Sequence, residues 1–153
     1  PATPADIAQM AALAEAAVNA GAMGFSTSRT LNHRTSDGHP TPTLTAAEDE
    51  LMGIALALGK AGQGTGRGVL QFVSDFADPE AEFGLMRRLC EASGRPLSFS
   101  LAQSPAAPNG WRRLLDLLEQ ATAAGLPMKA QVAARPVGVL LGLDLTLNPF
   151  SLH

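Results

Sequence analysis

Cysteine, charge and long apolar runs are scarce in this sequence, and each scarcity excludes a class of protein. The single cysteine, Cys90, cannot form a disulfide within the chain, so a reducing cytoplasm is the expected location. Charged residues make up 16% of the chain, the net charge is −3, and there is no basic patch. Nucleic acid and anionic membranes are therefore not expected partners. We see no secretory signal and no apolar run of membrane-spanning length, so neither export nor membrane insertion is expected.

Hydrophobic residues are abundant, at 46% of the 153 residues, which is enough for one buried core. The chain begins at Pro1 without a methionine, and it stops at His153 just as a new segment begins. We therefore expect residues 1–153 to be one partial domain, a fragment of a longer protein.

Helical patterns alternate with short apolar runs along the chain. Strands are predicted near residues 22–27, 69–73, 97–101 and 128–132, with a helix before the first strand and helices between the others. This alternation predicts parallel strands joined by right-handed crossovers. The glycines from 59 to 68 resemble a phosphate-binding run, but they precede a strand instead of opening a helix, so a phosphate site is not expected.

Within the predicted strands, apolar residues alternate with small or polar ones. In the third strand, for example, Leu97 and Phe99 alternate with Ser98 and Ser100. Strands of a doubly wound sheet are buried on both faces and are apolar throughout, whereas barrel strands combine a helix-covered face with a polar lumen. We therefore favour an α/β segment of about four βα units from a (β/α)8 TIM-type barrel over an open sheet.

A long polar loop follows the first predicted strand and runs to Pro42. It contains His33 and His39, two of the three histidines of the chain. In α/β proteins the chemistry lies where strands end, and connections of this length without structure of their own are uncommon in compact domains. The alternative is a solvated connection whose polar residues only form turns. We favour a functional loop.

The sequence resembles amidohydrolase family 3, and within it the N-acyl-D-amino-acid deacylases, or D-aminoacylases. The resemblance runs through nearly the whole chain, as a pattern and not as one catalytic signature, in the segments GAMGFSTSRTLNHRTSDG, GVLQFVSDFADPEAEF, GRPLSFSLAQ and QVAARPVGVLLGL. It implies a metal-dependent amidohydrolase barrel that hydrolyses the amide bond of a small-molecule partner, an N-acyl-D-amino acid.

The resemblance also implies zinc, with a defined set of ligands. These are a His-x-His pair on the first barrel strand, a cysteine, and single histidines at the ends of two middle strands, with an aspartate on the last strand as base. The pair, the cysteine and the aspartate would lie outside this segment. The second and third predicted strands lead into Asp75 and Gln103 and carry no histidine. The metal site is therefore altered, supplied from other segments or lost, and no catalytic or metal-binding residue is assigned here.

The candidate substrate-binding residues are polar side chains on the predicted lumen face, at strand ends or in the long loop. Arg29 and Arg135 could hold the carboxylate of an N-acyl amino acid bidentately, and Arg135 precedes a short helix predicted over 137–143. The alternatives are surface salt bridges for the arginines, an exposed loop position for the histidine and polar fillers for the rest. The full set is Ser26, Ser28, Arg29, His33, Asp75, Gln103, Gln131 and Arg135.

Two functions remain open at this point. The first is the middle part of an amidohydrolase acting on N-acyl-D-amino acids or related linear amides, inactive as an isolated segment. The alternative, motivated by the missing histidines, is a catalytically silent barrel segment that binds an acidic amide ligand or serves in assembly. Half a barrel leaves two strand edges unpaired, so self-association through these edges is a further expectation.

Overall fold

The computed structural model describes residues 1–61, 63–64, 67–104, 107–136, 138, 142–144 and 150. The helices are α1 (Pro4–Asn19), α2 (Glu48–Ala61), α3 (Pro79–Ser93) and α4 (Gly110–Ala123), with a short 3-10 helix, Pro42–Thr45, before α2. The strands are β1 (Gly24–Arg29), β2 (Val69–Ser74), β3 (Leu97–Ser100) and β4 (Met128–Gln131). The helix predicted over 137–143 depends on positions 137 and 139–141, which lie outside the described residues.

All four strands are parallel, and they lie side by side in chain order, β1–β2–β3–β4. Phe25 pairs with Leu70, Leu70 with Leu97, and Leu97 with Met128, so one row of apolar residues crosses the sheet. Each strand lies within two residues of its predicted bounds. The predicted α/β architecture with parallel neighbouring strands is confirmed.

The helices cover one face of this sheet. They pack on one another in chain order, α1 on α2, α2 on α3 and α3 on α4. The strand residues that face them are buried to 2% exposure or less at Leu70, Phe72, Leu97, Phe99 and Met128. The alternation predicted for the apolar face is therefore confirmed on β2, β3 and β4.

The other face of the sheet, which we call the open face, is polar. Its side chains are half-buried or exposed, and they are Ser26, Ser28, Val69, Gln71, Val73, Ser98, Ser100, Lys129 and Gln131. The predicted placement of the serines and glutamines opposite the helices is confirmed. Val132 ends the strand predicted over 128–132 and was expected on its helix-covered face, but it is 71% exposed because β4 ends at Gln131 and the chain leaves the sheet there.

The helix boundaries follow from local hydrogen bonds. At the start of α1, the Asp6 carboxylate accepts from the backbone N–H of Thr3 at 2.8 Å, and the Thr3 hydroxyl accepts from the N–H of Asp6 at 3.3 Å. Asp78 caps α3 by accepting from the N–H of Ala81 at 3.0 Å. Gly94 ends α3 with φ +62°, a left-handed conformation that favours glycine. No helix within the described ranges is long and apolar enough to cross a membrane.

Gly59 marks a close approach of α2 to the end of α3. A Cβ atom placed on Gly59 would lie 2.5 Å from the carbonyl oxygen of Ser93, well inside van der Waals contact. The neighbouring atom is backbone, so it cannot rotate away. The close packing of α2 and α3 therefore requires a residue without a side chain at position 59.

We expect Gly59→Ala to lower the free energy of unfolding by about 1–3 kcal/mol, because the added methyl overpacks the α2–α3 contact. This is opposite to the usual effect of alanine, which is about 1 kcal/mol more favourable than glycine inside a helix. Denaturant unfolding measures the change. The control is Gly84→Ala in α3, where the nearest atom is the flexible end of Arg88 at 3.2 Å, and stability should hold or rise. Equal stability of both variants would show that α2 has room to move.

Candidate functional site

The carboxyl ends of the parallel strands meet at one edge of the sheet, and Asp75 follows β2 there. Its Oδ1 accepts a hydrogen bond from the Thr30 hydroxyl at 2.5 Å, and its Oδ2 accepts from the N–H of Leu31 at 2.8 Å. Thr30 is 2% exposed. Asp75 therefore ties the beginning of the long polar loop to the end of β2, and both of its carboxylate oxygens have partners.

Arg29, the last residue of β1, lies on the helix-covered side and has its partners inside the fold. Its Nε and Nη2 donate to the Glu82 carboxylate at 2.8–3.1 Å, and its Nη1 donates to the carbonyl of Ala46 at 2.7 Å. Ser74 donates to the same carboxylate at 3.1 Å. The Arg29 and Glu82 side chains are only 15% and 19% exposed. This cluster joins β1, β2, α3 and the segment before α2, and Glu82 neutralises the guanidinium.

A cavity of about 350 Å³ lies at this edge, between the ends of β1 and β2 and the start of α3. Leu31, Leu44 and Phe76 provide apolar wall. The ionisable groups in its lining are three carboxylates and one guanidinium, Asp75, Asp78, Glu82 and Arg29. Because the formal charge of this lining is negative, the cavity disfavours a ligand that carries a carboxylate.

Phe76 gives this edge an unusual backbone turn. Its φ is +48°, a left-handed conformation that costs an L-residue about 1–2 kcal/mol. Its N–H donates to the Ser74 hydroxyl at 3.0 Å, and its ring packs edge-on against Phe99 with 5.5 Å between centroids. These two contacts hold the turn that follows Asp75.

The remaining predicted site residues fall into two groups. Ser26, Ser28 and Gln131 lie on the open face, where the Ser26 hydroxyl donates to Oε1 of Gln71 at 2.5 Å. His33, Gln103 and Arg135 are exposed in the segments that follow β1, β3 and β4. The structure thus brings the serines and Gln131 onto one face, while it places Arg29 on the opposite side of the sheet.

Several residues of the open face were absent from the predicted site, and among them Gln71 and Lys129 have long polar side chains. Lys129 is exposed and pairs in register with Ser98, in the row that also contains Ser26 and Gln71. The signal that could have found it is the alternation of β4, in which Met128 and Ala130 face the helices. Every second residue of that strand must then lie on the open face.

Comparison with known proteins decides the family. A sequence-family model, that of amidohydrolase family 3 (described as "Amidohydrolase family"), matches residues 1–153, which is the whole chain. The chain belongs to the amidohydrolase family. Its members are hydrolases and are generally metal-dependent. No curated protein and no solved structure matches the chain.

The described part of this amidohydrolase chain does not fit a metal centre. A catalytic zinc needs about three protein ligands around an open position, and no three His, Cys, Asp or Glu side chains come together among the described residues. Both oxygens of Asp75 accept hydrogen bonds from the polar loop. Cys90 is 1% exposed, its thiol donates to the carbonyl of Arg95 at 3.3 Å, and burial raises its pKa. The thiolate that zinc requires is therefore disfavoured at Cys90.

We expect Glu82→Gln to lower the free energy of unfolding by about 3 kcal/mol, because it leaves the mostly buried Arg29 guanidinium without a counter-charge. Chemical denaturation measures the loss. The control is Glu80→Gln in the same turn of α3, which breaks an exposed pair with Arg113. The hydrogen bond from Arg113 holds the Glu80 pKa below its usual value, but solvent screens this pair, so the change should be small. Similar losses in the two variants would contradict a special role for Glu82.

Residues 1–153 alone should neither bind zinc stoichiometrically at submicromolar affinity nor release an amino acid from an N-acyl amino acid. The physical reason is the separation of the donors, since Cys90 is in the core, Asp75 is bonded to the loop, and His33 and His39 are exposed. Calorimetric zinc titration, together with an assay for free amino acid, checks both outcomes. Tight binding with turnover would show that a complete site exists in this chain.

Proposed function

We propose that these residues form about half of a (β/α)8 barrel in an amidohydrolase that deacylates N-acyl-D-amino acids. The observation that carries the proposal is the two-sided sheet, with four parallel strands in chain order, helices on one face and polar residues on the other. In a closed barrel the open face would line the lumen, and the carboxyl ends of the strands would form its mouth. Family membership supports the reaction class.

The proposed roles follow from the chemistry of the open face. An N-acyl amino acid presents an amide carbonyl as acceptor and an amide N–H as donor. Hydroxyl and carboxamide side chains supply both complements, and Ser26, Ser28, Gln71 and Gln131 carry them. This segment then binds and orients the substrate amide. Asp75 acts on the substrate indirectly, by holding the polar loop at the mouth.

The substrate carboxylate requires a cation on the substrate side of the sheet. Arg29 is a poor candidate, because a ligand would have to displace Glu82 from a cluster with several hydrogen bonds. Arg135, exposed after β4, remains a candidate at the mouth. Zinc, in this proposal, is bound by ligands in other segments, since the described residues hold no suitable set.

The second candidate function is a catalytically silent barrel that binds an acidic amide ligand or serves in assembly. The observation that favours it is the type of residue just after β2 and β3. Asp75 and Gln103 occupy these positions, where the family resemblance implies histidines. As a ligand-binding barrel, this candidate shares the open face and the substrate-binding roles. It differs only in turnover, so an activity assay separates the two.

The full-length protein should release the free amino acid from N-acetyl-D-amino acids much faster than from their L enantiomers. Treatment with a metal chelator should abolish turnover, and zinc should restore it, because members of the family are generally metal-dependent. Release of amino acid is measured with matched D and L substrates. Binding of the D compounds without any turnover, with or without zinc, would favour the silent barrel.

A further inference from the structure

Lys129 is the one charged side chain on the open face of the described sheet. The other side chains of that face belong to serines, glutamines and valines, all uncharged. Charges elsewhere on the sheet belong to its helix-covered side, as with Arg29 and its partner Glu82. An ammonium on a face that a barrel would enclose is costly unless an anion accompanies it. The position therefore calls for an anionic partner.

The position of Lys129 also suits a carboxylate that is attached close to an amide. Lys129 pairs with Ser98, which pairs with Gln71, which pairs with Ser26, so ammonium, hydroxyl and carboxamide stand in one row on neighbouring strands. Neighbouring strands are about 4.8 Å apart. In an N-acyl amino acid a single carbon separates the amide nitrogen from the carboxylate. The cation that binds this carboxylate must therefore lie within a few side-chain lengths of the groups that bind the amide.

Arg135 meets this requirement less well than Lys129. It lies four residues beyond the end of β4, outside the row of paired residues. Four residues of extended chain span up to about 13 Å. Lys129 instead lies within the strand, two residues before Gln131, or about 7 Å along β4.

We infer that Lys129 binds the carboxylate of an acidic amide ligand on the open face. This inference rests on the proposed function, in which a closed barrel encloses that face. Lys129 thereby selects N-acyl amino acids over neutral amides. Its role is binding and specificity, and it takes no part in the bond-breaking step. The cavity at the ends of β1 and β2 has a negatively charged lining, which disfavours binding of the same carboxylate there.

The test compares two ligands and two lysines in the full-length protein. The ligands are N-acetyl-D-leucine and its primary carboxamide, which differ in one charge. The variants are Lys129→Met and the control Lys60→Met. Lys60 is the only other lysine in the 153 residues; it lies on α2, is exposed, and pairs with Glu15 of α1. Equilibrium binding is measured by calorimetry for each ligand, and turnover is measured separately.

Lys129→Met should raise the Kd for the carboxylate about tenfold to a hundredfold, the value of one charge-assisted hydrogen bond, and leave the Kd for the carboxamide unchanged. Lys60→Met should change neither value, and Lys129→Arg should recover part of the affinity. Equal losses for both ligands in Lys129→Met would overturn the inference, as would a carboxylate-specific loss in Arg135→Gln but not in Lys129→Met. A wild-type protein that binds neither ligand would also overturn it.

The same data distinguish this inference from the proposed function. Turnover in the wild type, with no carboxylate-specific effect of Lys129→Met, leaves the hydrolase intact and removes the role of Lys129. Carboxylate binding that depends on Lys129, without turnover under any metal condition, supports the role of Lys129 in a silent barrel and contradicts the hydrolase.

Discussion

The parallel register of the four strands is the constraint on which the rest of the structure depends. Along each strand, successive side chains point to opposite faces, so the register decides which residues meet the helices. Leu70, Leu97 and Met128 share one row, and Phe72 and Phe99 share the next. A slip of one residue in any strand would bury a serine, a glutamine or Lys129 in the core and expose its apolar neighbours. The polar character of the open face is thus a direct result of packing on the other face.

The cluster around Glu82 links this register to the edge where the loops begin. Glu82 lies one turn into α3, yet its carboxylate receives hydrogen bonds from the ends of both β1 and β2. Asp75 then fixes the polar loop to the same place from the other side of the strand. These hydrogen bonds fix the start of the loop at the strand ends, although its later residues, including His33, are exposed.

The strands and their two faces could be predicted from the sequence, because the alternation of residue types is local and strong. The partner of Arg29 could not be predicted from the sequence, because Glu82 is 53 positions away. An arginine at the end of a strand is equally consistent with a buried ion pair and with a ligand-binding residue. In addition, β1 extends two residues beyond its predicted end, to Arg29. Arg29 therefore lies on the same face as Phe25 and Thr27, and its guanidinium is on the helix-covered side. Lys129 was overlooked because one lysine among small polar residues is conspicuous only after the register is known. The hydroxyl of Thr27 is buried and has no hydrogen-bond partner among the described residues, and no pattern in the sequence indicated this.

Phe76 shows how narrow the choice of residue can be at a strand end. Its backbone conformation suits glycine or asparagine, but its ring fills a place beside Phe99 that neither of these could fill. β-Branched residues would meet the steric penalty without providing the ring. Tyrosine is the natural replacement that keeps the ring, and it adds a hydroxyl beside an apolar cavity wall. The direction in which the chain leaves β2 therefore rests on one aromatic side chain, and ancestral or engineered versions of this turn have few alternatives.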